Sequence, residues 1–293
     1  MNASIQEAGI ARPGYIRGAD GVELFYRDWG AGRPVVFVAS WSLPSDSWSY
    51  QMLALLEAGY RTIAFDRRGH GRSTDPAVRR PGSGYDFDTL ADDIAAVLET
   101  LDLHDAVLVG HSMGCNEIVR YLTRHGSARV AGAVLLGTMT PFVLKTPDNP
   151  DGIDAGFFEA LRGQLMRDFP QWIEDNMVPF VHPETPAGMK NWVRQMALGA
   201  SLHALLACNR ALVHTDFRPE LARIDVPTLL IAGEMDASAP LELTARPTAR
   251  LIPDATLRVY ENAPHGMFIT DMARVKHDLL EFAETIAQNR GNR

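Results

Sequence analysis

Cysteine is scarce in this sequence, which contains only Cys115 and Cys208 among 293 residues. Two cysteines are too few for a secreted disulfide framework, and Cys115 is predicted to be a small buried residue of a helix. Long hydrophobic runs are also missing: no stretch approaches a membrane span, and Met1 to Pro13 lack the apolar run of a signal peptide. We therefore expect a cytoplasmic protein without a membrane partner.

Basic clusters and cofactor signatures are absent as well. The net charge is −8 and no basic stripe occurs, which argues against a nucleic-acid partner. The sequence has no C-x-x-C pair, no H-x-x-x-H helix, no P-loop and no full G-x-G-x-x-G pattern. What is present is an ordinary globular composition, 46% hydrophobic and 22% charged, in a chain long enough to bury a large core.

Short runs that are apolar on both faces recur along the chain. Such runs are typical of strands buried in a parallel sheet. The five clearest are Pro34–Val38, Arg61–Phe65, Ala106–Val109, Val130–Leu136 and Pro227–Ala232.

Helical patterns separate these runs, at Asp88–Leu101, Met113–His125 and Ala273–Gln288. Alternating strands and helices predict an α/β fold built on a mostly parallel, doubly wound sheet. Ahead of this sheet, 14–16 and 22–28 are predicted to form an antiparallel hairpin that turns at 19–21.

The alternation stops between residues 139 and 223. This stretch is rich in proline and aromatic residues, contains several predicted helices and has no clear strand. A long insertion of this kind predicts a helical cap, inserted after the sixth strand over one end of the sheet. We therefore divide the chain into core residues 1–138, cap residues 139–223 and core residues 224–293.

The most specific local motif is Gly110-His111-Ser112-Met113-Gly114. It has the form G-x-S-x-G, directly after a buried strand and before a helix. A serine on such a sharp turn is lifted above the sheet edge, and small residues two positions on either side allow the chains to pass. We predict Ser112 as a nucleophile and the backbone N–H of Met113 as an oxyanion donor.

A serine nucleophile requires a general base, for which histidine is best suited. Of nine histidines, His265 stands in a loop after the last strand-like segment and before the final helix, from which it can reach the sheet edge. The other eight lie in the serine turn, on helix ends or exposed faces, in the cap, or in a structural turn (His111; His104, His125, His277; His182, His203, His214; His70).

The acid that orients the histidine is expected at the end of a strand between these two residues. The strand-like 229–232 is followed by a glycine and by two carboxylates, Glu234 and Asp236. We select Asp236 because the next residues lead into a helix, and Glu234 is the alternative. The three residues then follow one another along the chain in the order serine, acid, histidine.

With these motifs in place, the sequence resembles the α/β-hydrolase family, and more narrowly its cofactor-free haloperoxidase and arylesterase branch. The residues that carry the resemblance are Asp66-Arg67-Arg68-Gly69-His70-Gly71-Arg72-Ser73, the serine motif, Ala263-Pro264-His265-Gly266, Glu117–Leu122, Leu144–Pro147, Thr215–Phe217 and Ile224–Leu229. The resemblance implies the α/β-hydrolase fold, hydrolysis of small esters and a peracid-forming side reaction with hydrogen peroxide. It implies no haem, metal or other cofactor, and it is compatible with a homo-oligomer.

The loop after the first predicted parallel strand departs from the family pattern. Family members usually read His-Gly-aromatic, whereas this chain reads Ala39-Ser40-Trp41-Ser42. Trp41 takes the aromatic position, so the resemblance makes its backbone N–H the second oxyanion donor. We predict Ser40, Trp41 and His111 as residues of the substrate pocket, and the indole is expected to favour small acyl groups or to stack on an aromatic substrate.

These observations predict a serine hydrolase that cleaves small carboxylic esters through an acyl-enzyme, with Ser112, Asp236 and His265 as catalytic residues. Lactones and some amides would react in the same way. A hydroxynitrile lyase and a carbon–carbon bond hydrolase on the same triad stay open, although no telling cap lysine supports the lyase. The alternative from another class is a ligand-binding receptor with little turnover.

Overall fold

The computed structural model describes residues 12–76 and 84–291. Within these ranges the strands are β1 (Tyr15–Arg17), β2 (Glu23–Trp29), β3 (Pro34–Val38), β4 (Arg61–Phe65), β5 (Ala106–His111), β6 (Val130–Leu136), β7 (Thr228–Gly233) and β8 (Ala255–Tyr260). The helices are α1 (Ser49–Glu57), α2 (Phe87–Thr100), α3 (Met113–His125), α4 (Ala155–Arg167), α5 (Phe169–Phe180), α6 (Ala187–Leu198), α7 (Leu202–His214), α8 (Arg218–Leu221), α9 (Ala245–Leu251), α10 (Met267–Thr270) and α11 (Met272–Gly291).

The eight strands form one sheet in the order β1-β2-β4-β3-β5-β6-β7-β8. Strands β3 to β8 are parallel, and β1 and β2 form an antiparallel hairpin at one edge. The predicted α/β fold and its mostly parallel, doubly wound sheet are therefore confirmed. The hairpin also forms as predicted, with the backbone N–H of Gly21 donating to the carbonyl of Gly18 at the turn.

Both faces of the sheet are buried, which explains the continuous apolar runs in the sequence. In β3, Val36 and Val38 pack into the core on one face, and Val35 and Phe37 pack into the core on the other. All residues of β3, β5, β6 and β7 are buried. Cys115 is buried in α3, as the sequence predicts.

The strand order reverses between β3 and β5, which are neighbours in the sheet although β4 lies between them in the chain. A reversal of this kind opens a crevice at the carboxyl ends of the two strands, where ligands bind in open α/β sheets. The loop that begins at Ala39 and the turn at Ser112 both leave the sheet at this crevice.

Helices α4 to α8 lie between β6 and β7 in the chain. They occupy the stretch that the sequence predicts as a cap, and its boundaries at 139 and 223 stay a prediction. Among the described helices none is by itself long and apolar enough to span a membrane, although α6 and α7, bent by 90°, pass that test as a pair.

Candidate active site

Ser112 lies on a sharp turn between β5 and α3. Its backbone adopts φ 54° and ψ −120°, a region that non-glycine residues rarely occupy. The turn is held from the neighbouring strand, because the N–H of Ser112 donates to the carbonyl of Leu136 at 2.9 Å. Helix α3 begins at the next residue, Met113, so Ser112 directly precedes the first turn of the helix, where N–H groups have no partner within the helix.

The two glycines of the serine motif are required by close contacts. A Cβ atom at Gly114 would lie 2.5 Å from the carbonyl oxygen of Val38, and one at Gly110 would lie 2.8 Å from the backbone nitrogen of Cys115. Both distances are shorter than atoms can approach, so only glycine allows this turn to pack against β3 and against its own helix. The steric reason for the motif spacing is thus visible in the structure.

His265 and Asp236 form the central contact of the candidate site. The Nδ1 of His265 lies 2.7 Å from Oδ2 of Asp236, and both side chains are buried. The other carboxylate oxygen of Asp236 accepts backbone N–H groups from Ser238 and Ala239, at 2.9 and 2.7 Å. A carboxylate fixed at both oxygens holds the imidazole ring in one orientation and keeps the proton on Nδ1.

Glu234, the alternative acid, is placed differently. Its side chain is exposed, and its Oε2 accepts the backbone N–H of Asn262 at 3.4 Å. It therefore braces the loop that leads to His265 from outside, whereas Asp236 contacts the ring itself.

Ser112 and His265 both lie near the end of β6. The N–H of Ser112 binds Leu136, and a Cβ atom on the following residue, Gly137, would lie 3.3 Å from the ring of His265. Ser112, Asp236 and His265 are 6%, 5% and 4% exposed. The structure thus places the three predicted catalytic residues at the carboxyl ends of the parallel strands. Bulk water is largely excluded from these surroundings.

The end of α5 contacts the histidine loop directly. The carbonyl of Phe180 accepts the N–H of Gly266 at 2.7 Å, and the Phe180 ring lies 5.9 Å from the ring of His265. Part of the inserted helical segment therefore covers the candidate base and restricts the water around it.

His111 lies beneath His265 and has no exposed surface. Its Nε2 donates to the backbone carbonyl of His265 at 2.9 Å, and its ring packs against Phe268 and Trp48. Burial, reinforced by His265, lowers the pKa of His111 well below its usual value, so the ring stays neutral. His111 thus supports the His265 backbone, and its place in the substrate pocket stays a prediction.

The loop after β3 places the other two predicted pocket residues. Ser42 has φ 69°, and the N–H of Leu43 donates to the carbonyl of Ser40 at 3.3 Å, which closes a tight turn around Trp41. The indole N–H of Trp41 donates to the carbonyl of Leu205 in α7 at 2.9 Å, and its ring lies edge-on to Trp172 at 5.2 Å. Ser40 is buried, whereas Trp41 is partly exposed between the sheet and the inserted helices.

The residues that hold this loop come from the turn after β4, and the sequence reasoning missed them. Arg67 donates to the carbonyls of Ser40 and Ala39 at 2.9 and 2.6 Å. The neighbouring Asp66 accepts the N–H of Ser45 at 2.7 Å. An acid and an arginine directly after a buried strand are the available signal, but the sequence does not reveal which loop they contact.

His70 belongs to the same turn. Its ring is buried, and its Nδ1 lies 3.0 Å from the carbonyl of Arg68. Burial, together with the charge of Arg67, lowers its pKa to about 3. These contacts fit the structural interpretation of His70.

His277, Asp278 and Glu281 bring potential metal-ligating atoms within 4.8 Å of one another on α11. The two carboxylates are already engaged, since Arg258 lies 2.6 Å from Asp278 and 2.8 Å from Glu281. The cluster is explained as an ion-pair network, and the absence of a metal requirement stays a prediction.

Comparison with known proteins shows which family this chain resembles. A family model described as "alpha/beta hydrolase fold" matches residues 33–271. A non-heme chloroperoxidase of Kitasatospora aureofaciens is 42% identical over 90% of this chain and 96% of its own length. A bifunctional esterase/perhydrolase of Acinetobacter calcoaceticus is 40% identical, over 92% and 99%. An esterase structure from Exiguobacterium antarcticum superposes with a TM-score of 0.87, at 31% identity over 92% of this chain and 98% of that one.

Proposed function

The chain belongs to the α/β-hydrolase family, and we propose that it is a serine hydrolase that cleaves small carboxylic esters through an acyl-enzyme. The observation that carries this proposal is the 2.7 Å contact between His265 and Asp236 beside the strained turn of Ser112. We also propose residues 139–223 as the cap that shapes the substrate pocket. The esterases and chloroperoxidases among the relatives support this reading.

In the acylation step, the Ser112 hydroxyl attacks the ester carbonyl and gives its proton to Nε2 of His265. Asp236 supports this transfer because it binds Nδ1–H and stabilises the imidazolium that forms. The negative charge on the carbonyl oxygen is held by the backbone N–H groups of Met113 and Trp41. His265 then returns the proton to the leaving alcohol, which departs and leaves the acyl group on Ser112.

In the second step, a water molecule gives a proton to His265 and attacks the acyl carbonyl. Collapse of the intermediate expels Ser112, which regains the proton from His265, and releases the carboxylic acid. The buried surroundings of Asp236 and His265 strengthen both electrostatic contributions, because few water molecules compete there.

The experiment follows p-nitrophenol release from p-nitrophenyl esters of two to eight acyl carbons by chelator-treated protein. The parent should turn over the short esters, and Ser112→Ala should lose at least about 10³-fold in kcat. Ser127→Ala, whose hydroxyl binds Asp225 at the surface, is the control and should keep full activity. Equal inactivity of parent and Ser112→Ala would overturn the esterase proposal and favour a receptor with little turnover.

A second activity, perhydrolysis, is favoured by the bifunctional esterase/perhydrolase among the relatives. In this reaction Ser112 is acylated by an ester or, with loss of water, by a carboxylic acid such as acetic acid. Hydrogen peroxide then replaces water in the second step, so its attack on the acyl-enzyme releases a peracid and restores Ser112. Lactone and carbon–carbon bond hydrolysis on the same triad have no comparable support.

Perhydrolysis is measured in acetate buffer with hydrogen peroxide, by the oxidation of a sulfide that peracetic acid attacks rapidly. The parent should form sulfoxide faster than Ser112→Ala, and the difference should disappear when acetate is replaced by phosphate. A rate that is the same in parent and variant would assign the oxidation to peroxide alone and remove this activity from the proposal.

A further inference from the structure

Arg67 is a buried arginine that forms hydrogen bonds with two segments next to the candidate site. Its side chain is 2% exposed, and besides the carbonyls of Ala39 and Ser40 it donates from Nε to Oε1 of Glu117 at 2.6 Å. Glu117 is 1% exposed and lies in α3, the helix that begins after Ser112. One guanidinium therefore joins the loop after β3 to the helix after β5.

The two segments that Arg67 joins are those that carry the proposed oxyanion donors. Glu117 follows Met113 by four residues in α3, so the two lie one turn apart on the same side of the helix. On the other segment, Ser40 directly precedes Trp41. The contacts of Arg67 therefore end within one helical turn of one proposed donor and next to the other.

The contact between Arg67 and Ser40 also fixes the direction of the backbone N–H of Trp41. The peptide bond between Ser40 and Trp41 is trans, so its carbonyl and its N–H point to opposite sides. Because the Ser40 carbonyl is bound to Arg67, the N–H of Trp41 must point away from the guanidinium. Rotation of this peptide would break the bond to Arg67 and would turn the proposed donor at the same time.

We propose that Arg67 and Glu117 are positioning residues that set the direction and spacing of the two oxyanion donors. This inference rests on the proposed function, because it presupposes an oxyanion formed by attack of Ser112. Neither side chain touches substrate in the proposal. Their contribution is expected in the transition state, where two donors at the correct spacing matter most.

The next residue, Arg68, provides a matched comparison. Arg68 is also 2% exposed, and its two donors bind both carboxylate oxygens of the buried Asp93 at 2.7 Å. Its other hydrogen-bond partners are Asp20 and the carbonyl of Gly84, so among the described residues Arg68 donates no hydrogen bond to Ala39, Ser40 or α3. Both arginines are buried, and each forms an ion pair. They differ because Arg67 joins the loop after β3 to α3, whereas Arg68 does not.

The experiment compares Arg67→Lys with Arg68→Lys, because lysine keeps the charge but lacks the planar fork that binds three acceptors. The constants kcat and KM are measured with p-nitrophenyl acetate, and kcat is divided by the fraction of sites that a fluorophosphonate labels to completion. Inhibition is measured with an aryl trifluoromethyl ketone, whose serine adduct carries an oxyanion, and with the matching methyl ketone, which binds without forming it. Melting temperatures report stability for both variants.

Arg67→Lys should lower kcat by about ten- to hundredfold, below the loss of a whole oxyanion donor, with KM within about threefold. Inhibition by the trifluoromethyl ketone should weaken by a similar factor, and inhibition by the methyl ketone should not change. Arg68→Lys should keep kcat and both inhibition constants within about threefold of the parent. This should hold even if its melting temperature falls as much as that of Arg67→Lys. A merely structural role of Arg67 would give the two variants the same ratio of inhibition constants, and that result would overturn the inference.

If Arg67→Lys does not fold, Glu117→Gln and its control Asp93→Asn decide the question, since both keep the side-chain shape. Glu117→Gln should selectively weaken trifluoromethyl ketone inhibition, and an unchanged constant would overturn the inference. Active parent with inactive Ser112→Ala, but no selective effect at Arg67 or Glu117, would remove this inference alone. A parent that neither hydrolyses aryl esters nor is labelled at Ser112 would overturn the proposed function together with it.

Discussion

The two segments proposed to supply oxyanion donors reach the same crevice by different physical means. The turn at Ser112 is determined by its own sequence, because glycines two residues before and after it permit contacts that no larger residue allows. The loop around Trp41 contains no glycine between Ala39 and Pro44, and Ser42 still adopts φ 69°. This second segment is held from outside, by Arg67, Asp66 and the Leu205 carbonyl.

This difference shows why one half of a site can be read from a short motif and the other half cannot. A strained turn with glycines carries its own signature, whereas a loop fixed by distant side chains depends on contacts that form only after folding. The contrast also predicts where substitutions act. Changes inside the serine turn should have large effects, and changes inside the loop should be buffered by its external contacts.

Among the substitutions that test this comparison, the largest effect is expected for Gly114→Ala. The added methyl group would lie 2.5 Å from the Val38 carbonyl and 2.9 Å from the Ala39 carbonyl, both of which are backbone atoms that cannot move aside cheaply. Displacement of the turn by about 1 Å should reduce kcat by about 10²-fold, and overpacking should cost about 1–3 kcal/mol in the free energy of unfolding. Ester hydrolysis and urea denaturation measure the two effects.

Gly188→Ala is the matched control for this substitution. Gly188 lies in the first turn of α6, and a Cβ atom there would meet nothing within 4 Å. It should leave both activity and stability near those of the parent. Parent-like activity of Gly114→Ala would mean that the turn has room to adjust, and the contrast between the two segments would lose its basis.

A smaller effect is expected for Trp41→Phe. The substitution keeps an aromatic ring at the loop but removes the hydrogen bond to the Leu205 carbonyl in α7. One neutral hydrogen bond contributes about 1 kcal/mol, so kcat should fall by no more than about tenfold. Trp172→Phe, which preserves the indole bond of Trp41, should retain more activity, and a larger loss there would assign the effect to ring packing instead.

Most of the sheet and the contact between Asp236 and His265 were predictable from the sequence. Four runs, at 34–38, 61–65, 106–109 and 130–136, fall within observed strands, because residues buried on both faces leave an unmistakable apolar pattern. Asp236 and His265 follow strands in the chain order typical of the family. The support of the site was not predictable: Arg67 and Glu117 are 50 residues apart, and a lone charged residue does not reveal its partner. The contact of His111 with the His265 backbone was not predictable either, since adjacency to Ser112 in sequence does not determine where a side chain packs.

Ser42→Gly should change stability more than activity. A serine in the left-handed region costs about 1 kcal/mol relative to glycine, so Ser42→Gly should exceed Ser42→Ala by about that amount in the free energy of unfolding. Activity of both variants should stay within about threefold of the parent, because Arg67 and Asp66 hold the loop on either side. A glycine variant less stable than the alanine variant would show that Ser42 does not adopt this conformation in solution.

The last effect is a pH dependence of stability that originates in the turn that holds the loop. Burial and the charge of Arg67 lower the pKa of His70 from 6.5 to about 3 in the folded protein. Below pH 6.5 the unfolded chain therefore binds a proton that the folded chain does not, and stability falls as the pH decreases toward about 3, by at most about 1.4 kcal/mol per pH unit. In His70→Asn this contribution is absent, so the difference in free energy of unfolding between parent and variant should shift in favour of the variant between pH 7.5 and pH 5. Urea denaturation at these two pH values measures that shift, and an unchanged difference would mean that His70 is free to take up a proton in the folded state, in conflict with its burial beside Arg67.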